Sequence, residues 1–247
     1  MAEWFQKFFN GLYAKVLPHV FSEEQTYEDA RAVKRLLGLR KGHQVLDIPC
    51  GMGRLTIPLA QMGMKMTGVD LMQSYIRKAR RYARRDGLDI DFLCEDMRRI
   101  NFEAEFDAAF NWFGSFGYFS DSENLHFCRR VHRALRPGGR FLVETINKPW
   151  LLAHFMPSSD RTVGGVRVVE HRTWDAQNRR ILSTWTLCNK GKTERRRVSI
   201  RIFSAAEMRS LLRTAGFGDI ALFGYGRPGR LSRHSERLIA VGRRLLS

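Results

Sequence analysis

The chain has 247 residues, 44% hydrophobic and 27% charged, which is enough to bury a sizeable core in one domain and unlike a disordered or collagenous composition. No apolar run reaches transmembrane length, and Glu3 and Lys7 interrupt the apolar N-terminus where a signal peptide would have none, so a cytoplasmic chain without a membrane partner is expected. The net charge of +17 suits a polyanion, yet 33 Arg against 9 Lys is also what GC-rich coding produces, and a solvated basic surface is preferred to a nucleic-acid site.

The excess is uneven: from Lys190 to Ser247 there are 14 basic and 4 acidic residues. Cys50, Cys94, Cys128 and Cys188 are scattered without a CxxC pair, which indicates reduced thiols and neither a disulfide nor a metal site.

In chain order, residues 1–43 read as helical. Trp4, Phe5, Phe8, Phe9, Leu12 and Val16 recur at helical spacing, Ser22-Glu23-Glu24 forms a polar break, and a second helix runs from about Thr26 to Leu37 and stops at Gly38. An apolar run from Gln44 to Ile48 then meets Pro49 and two glycines, followed by the apolar face of a helix from Leu55 to Met62. A second strand, Lys65 to Val69, leads to a helix over 73–85 whose arginines face outward, and a third runs from Ile90 to Glu95. The fourth strand is Ala108 to Phe113, then a helix from Ser122 to Leu135, a turn Arg136-Pro137-Gly138-Gly139, and a fifth strand Phe141 to Ile146.

Val166–Thr173, Ile181–Cys188 and Arg195–Phe203 alternate at period two, with turns at Asp175-Ala176-Gln177-Asn178 and Asn189-Lys190-Gly191-Lys192. They read as three antiparallel strands inserted over the site. In the last, Val198, Ile200 and Ile202 share one face, and Arg197, Ser199 and Arg201 share the other, expected to be solvated. Ser204 caps a helix from Ala205 to Thr214, and strands near Asp219–Phe223 and Arg237–Val241 follow.

The chemistry concentrates in Val45-Leu46-Asp47-Ile48-Pro49-Cys50-Gly51-Met52-Gly53-Arg54. Strand, tight turn and helix open a nucleotide-binding βαβ unit, and Gly51 and Gly53 let backbone approach a ligand where a Cβ would collide with it. A dinucleotide fingerprint would place a third glycine at Thr56. Instead Asp47 stands at the strand end, where it would repel a pyrophosphate and suit a cationic ligand. Asp70 ends the second strand, twenty-three residues on, near the spacing at which an acid meets a ribose hydroxyl, and Asp96 closes the third.

With VLDIPCGMGR, TGVDLMQSYIRKAR, FLCEDMRRI, FDAAFNWFGSFGYF and LRPGGRFLVETI in this order over about Leu36 to Ile146, the chain resembles the class I S-adenosylmethionine-dependent methyltransferases. The resemblance implies an α/β Rossmann-like, mostly parallel seven-stranded sheet of order 3-2-1-4-5-7-6 with helices on both faces. It would be a single domain, 1–247, with an N-terminal helical cover (1–43), in which Tyr13 or Tyr27 touches the cofactor or packs on the sheet edge, and a small antiparallel β lid (160–203). The cofactor implied is S-adenosylmethionine, held by Asp47, Cys50, Gly51, Gly53, Asp70, Leu71, Asp96, Met97, Asn111 and Phe113. Pro49 departs from the family, whose usual small residue there has a backbone donor that proline lacks.

A methyltransferase acting at N or O of a small-molecule acceptor is expected, because the site is roofed over and no RNA-binding module is appended. An RNA or protein methyltransferase using the basic C-terminal quarter, and a non-catalytic cofactor-binding module, are the alternatives. His154, His171, Tyr118 and Glu144 fall near strand ends, but each also reads as a structural polar residue, and no general base is assigned.

Overall fold

The computed structural model describes residues 4–225 and 229–246. The N-terminal apolar stretch forms two short helices, α1 (Trp4–Phe8) and α2 (Tyr13–Val16), because the chain turns at Gly11 with φ 61° between them. α3 spans Glu23–Leu37. Its start corrects the expected break at 22–24: the Ser22 side chain accepts from Gln25 N at 3.0 Å, and Glu23 and Glu24 sit at the positive end of the helix dipole.

The main sheet begins with β1 (Gln44–Asp47), α4 (Thr56–Gln61), β2 (Lys65–Asp70), α5 (Gln73–Arg85), β3 (Asp91–Cys94), β4 (Phe106–Asn111), α6 (Asp121–Ala134) and β5 (Leu135–Ile146). After α7 (Lys148–Ala153) come four strands of a separate sheet, β6 (Ser158–Val163), β7 (Val166–Asp175), β8 (Arg180–Asn189) and β9 (Lys192–Arg201). α8 (Ala205–Thr214), β10 (Phe217–Gly224), β11 (Gly229–Arg230) and β12 (Arg237–Arg244) return to the main sheet. Its order is β11-β10-β12-β5-β4-β1-β2-β3, with β1 to β5 parallel and β12 antiparallel to both neighbours. This is the expected order 3-2-1-4-5-7-6 plus an eighth strand, the two-residue β11 on the edge of β10.

The expected turn at Arg136–Gly139 instead lies within β5 as an irregular stretch, across which the pairing jumps from Phe106↔Leu135 to Ala108↔Arg140. Both faces of the sheet are covered, so strand residues of either parity are apolar and buried. One face packs Ala109, Val143 and Phe141 against Phe127, Val131, Met208 and Leu212 of α6 and α8. The other packs Val45, Phe110 and Leu142 against Ala30, Val33 and Leu37 of α3 and Leu59 of α4.

The small sheet has four strands in sequence order where three were expected, because Gly164 and Gly165, both at positive φ, turn β6 back onto β7. Its inward residues Val166, Val168, Leu187 and Val198 pack on Phe8, Leu12, Tyr13 and Val16, so the N-terminal helices fill the space between the two sheets. At the other end Arg180 donates to the carbonyls of Gly117, Tyr118 and Phe119 at 3.1–3.3 Å.

Arg201, expected on the solvated face, is buried. It bonds Asp121 at 3.0 Å and Glu207 at 2.7 Å and lies over the Phe203 ring. Alternation fails there because β9 leaves its sheet: Arg201 N donates to Gly117 O, and Ile202 N donates to Arg179 O.

Candidate functional site

The carboxyl ends of β1, β2 and β4, the N-terminal helices and the inner face of the small sheet enclose a cavity of about 980 Å³. That is at the upper end of the volume range of small-molecule sites, and it lies where open α/β sheets bind ligands. Asp47, Cys50, Gly51, Gly53, Asp70, Leu71, Asp96, Met97 and Phe113 line it. Asn111 does not: it is fully buried, and its amide nitrogen donates to Ile48 O at 2.9 Å, tying β4 to the end of β1.

The turn after β1 is built around two glycines at positive φ, 58° at Gly51 and 84° at Gly53. A Cβ on Gly51 would meet no atom within 4 Å, so a ligand can press against this backbone, whereas at Gly53 it would come within 3.2 Å of Ile57. Gly51 N donates to one oxygen of Asp70 at 2.9 Å and Met72 N donates to the other at 2.7 Å, so Asp70 locks the β1 and β2 loops together. Asp47 accepts from Thr56 Oγ1 at 2.6 Å, which gives a reason for threonine where a dinucleotide site has glycine.

Burial dominates the electrostatics. It lifts Asp47 to about 7 against the opposing pull of Thr56 and Arg54, and lifts Asp70 to about 6 against its two backbone donors. Burial, with Asp47 and Asp70 adding to it, also pushes the Cys50 thiol well above its usual range. Two buried carboxylates beside an open glycine turn are what a cationic ligand would discharge into hydrogen-bonded ion pairs. Asp96 is different. Burial raises it, but the Arg98 guanidinium at 2.6 Å and the Arg98 N–H outweigh that and hold it below the ordinary carboxylate value.

Trp112, Phe113, Gly114, Ser115 and Tyr118 of the loop after β4 line the cavity, while Phe116 packs in the core. Arg54 lies 4.0 Å above the Phe21 ring and pairs with Asp29 at 2.6 Å, forming one side wall. Burial raises the Tyr118 hydroxyl far enough to keep it protonated.

Among the four polar residues near strand ends, Tyr118 and His154 face the cavity, and His154 stacks on Trp150 with Nδ1 2.9 Å from the Trp150 carbonyl. Glu144 lies behind the wall, raised by burial and held by Arg237 at 2.6 Å and Gly114 N at 3.0 Å. His171 is exposed on the outer face of β7.

Sequence reasoning missed the small sheet's contribution: Glu170, Arg172, Ser183 and Trp185 also line the cavity. The signal was a charged pair, Glu170 and Arg172, on the same parity as the apolar Val166 and Val168.

Residues 45–139 match the sequence family described as "Methyltransferase domain". The S-adenosyl-L-methionine-dependent Diels-Alderase iccD of Talaromyces variabilis is 34% identical over 121 residues, 46% of this chain and 40% of that protein. The ubiquinone biosynthesis O-methyltransferase of Bradyrhizobium diazoefficiens is 32% identical over 117 residues, 47% of this chain and 45% of that protein. The chain thus spans less than half the length of these curated relatives. An S-adenosylmethionine-dependent methyltransferase from Clostridium acetobutylicum shares the fold, with a TM-score of 0.77 at 17% identity over 97% of this chain and 98% of that one. Residues 45–139 thus carry a methyltransferase domain by sequence, and the whole chain shares the fold of an S-adenosylmethionine-dependent methyltransferase.

Proposed function

We propose that this chain binds S-adenosylmethionine at the Asp47–Gly53 turn and transfers its methyl group to N or O of a small-molecule acceptor held beneath the small antiparallel sheet. The observation that carries this is the open backbone at Gly51, flanked by buried Asp47 and Asp70, at one end of a cavity lined mostly by aromatic and aliphatic side chains. The cofactor fits these residues, and supplies an electrophilic methyl carbon on a sulfonium. Asp70, whose oxygens each accept one backbone N–H, keeps lone pairs for two ribose hydroxyls. Asp47 balances positive charge on the ligand.

Trp112, Phe113 and Tyr118 keep water from the reacting atoms, and the enclosure holds the acceptor in line, which is where much of the acceleration in such a displacement arises. The acceptor atom must be neutral when it attacks; its proton leaves afterwards, and no side chain is assigned to take it.

Several arginines are engaged within the protein. Arg196 bonds Glu194 and the Lys7 carbonyl, Arg237 pairs with Glu144, and Arg244 donates to the carbonyls of His132, Arg133 and Leu135. This supports a small molecule over RNA. The name of the Talaromyces relative supports a second reading from another class, in which bound cofactor shapes the cavity and no methyl group moves.

The test is transfer of tritiated methyl from S-adenosylmethionine into cell extract, followed by size fractionation. Label in the metabolite fraction is expected. Label in RNA or protein would refute the small-molecule reading, and tight S-adenosylhomocysteine binding without any label would favour the second one.

A further inference from the structure

Where it lines the cavity, the inner face of the small sheet is apolar except at one spot; farther along the same face, Glu194 and Arg196 bond the backbone of the N-terminal helices. On β7 the inward residues run Val166, Val168, Glu170, Arg172, and on β8 they run Ile181, Ser183, Trp185, Leu187. Register puts Arg172 directly opposite Ser183 and Glu170 opposite Trp185, so the polar residues form a compact patch on the cavity roof. Glu170 is only 4% exposed, a costly place for a carboxylate unless it is bonded.

Arg172 reaches Glu170 Oε2 at 2.5 Å, but among the described residues no hydrogen-bond partner meets Oε1. The Tyr13 and Ser183 hydroxyls face the same cavity, also without a hydrogen-bond partner among the described residues. Beside this patch the rings of Phe8, Tyr13 and Trp185 form a cluster with centroids 4.3–5.9 Å apart.

We infer that this patch is the acceptor-recognition site, and that it takes a ring-bearing amine whose N–H donates to Glu170 Oε1. Three features of the patch converge on that class. A carboxylate oxygen accepts hydrogen bonds and cannot donate them, so its partner must be an N–H or O–H donor. Aromatic faces favour a cationic or polarised N–H over an anion. The apolar remainder of the roof suits a ring. Arg172, its charge already spent on Glu170, orients the carboxylate and is a positioning residue. Arg161 lies 5.4 Å over the Trp185 ring but does not line the cavity, so it offers no competing anion site there. The inference rests on the function proposed above, because it assigns the second substrate of that same cavity.

Three probes that share a 4-hydroxyphenyl ring test it: tyramine, p-cresol and 4-hydroxyphenylacetate, whose para substituents carry a cation, no charge and an anion. Binding is measured by calorimetry to the full chain saturated with S-adenosylhomocysteine, for wild type and for Glu170→Gln and Tyr13→Phe. Tyramine should bind wild type at least tenfold more tightly than p-cresol, and 4-hydroxyphenylacetate should bind least.

Glu170→Gln should erase most of the tyramine preference while leaving p-cresol and S-adenosylhomocysteine affinities unchanged. Tyr13→Phe, which keeps the ring and the carboxylate, should retain the preference for tyramine and so rules out simple loss of fold. Equal affinities, tighter binding of the anion, or a tyramine preference that survives Glu170→Gln would overturn the inference. So would absence of tyramine binding to the saturated wild type. Failure of wild type to bind S-adenosylhomocysteine at all would instead refute the proposed cofactor site.

Discussion

Replacing Gly51 by alanine separates a glycine that makes room for a ligand from one that merely permits a turn. At φ 58° an L-residue is strained by about 1–2 kcal/mol, and no protein atom lies within 4 Å of the new methyl to add a clash. For a chain of this size that corresponds to a fall in Tm of roughly 2–8 °C. The methyl projects into the space assigned to the cofactor, so binding should suffer far more than folding. We expect S-adenosylhomocysteine affinity to drop at least tenfold, about 1.4 kcal/mol, by calorimetry at a temperature where both proteins are folded.

Gly117→Ala is the contrast. Its Cβ would collide with the Arg201 backbone carbonyl at φ 98°, so it should melt much earlier than Gly51→Ala. If Gly51→Ala melts early yet binds with native affinity, the glycine serves the turn alone and the cofactor assignment there is wrong.

Asp70→Ala should weaken S-adenosylmethionine binding by roughly ten- to a hundredfold, from the loss of charged hydrogen bonds worth on the order of 1.5–3 kcal/mol. It should also lower Tm, because Gly51 N and Met72 N lose their acceptor, so calorimetry and melting must be read together. Affinity for S-adenosylmethionine should rise between pH 5 and 8. Asp47 near 7 and Asp70 near 6 are partly protonated in the free protein and must ionise to meet a cation, releasing protons that calorimetry in two buffers detects.

Stability of the free protein runs the other way. The raised carboxyls contribute stability that is complete below their unfolded values near 4 and lost as pH rises through 6–7; a pH-independent affinity would contradict both assignments. Burial raises Glu207, but Arg201 and the Ser204 cap outweigh it and hold the carboxyl at about 2, so its stabilisation is present above the unfolded value and lost as pH falls toward 2. Acid titration of Glu207→Gln should therefore show a shallower loss of Tm between pH 4 and 2 than wild type.

The main sheet was legible because each strand is an apolar run closed by an acid or a turn residue, and the period of 3.6 between strands announces helices. What escaped detection lacks such a pattern. β6, Ser158-Ser159-Asp160-Arg161-Thr162-Val163, is a polar edge strand with no buried residue, and only the Gly164-Gly165 pair hinted at a hairpin. α7 buries no residue, so it leaves no apolar stripe to read.

Hydrophobic spacing survives the turn at Gly11, so periodicity alone does not separate α1 from α2. Alternation places Arg201 on the wrong face because it describes a chain that stays in one sheet, and this one leaves at that residue. Within the candidate site, positions at strand ends were readable but directions were not: Asn111 points into the protein, and Asp96 is engaged by Arg98. Glu170 and Arg172 depend on which face of the small sheet looks inward, which only the packing of α1 and α2 decides.

Arg180 binds three consecutive carbonyls, Gly117 to Phe119, with one guanidinium, and so welds the small sheet to the loop that floors the site. Whatever shifts the roof drags Tyr118 with it, and whatever reshapes the floor is felt at Ile181, the next residue along β8. For the cofactor and acceptor proposed above, this tether is a physical route for linkage between their binding. Any factor by which one changes affinity for the other must be the same in both directions, and cutting the Arg180 tether should bring that factor toward one.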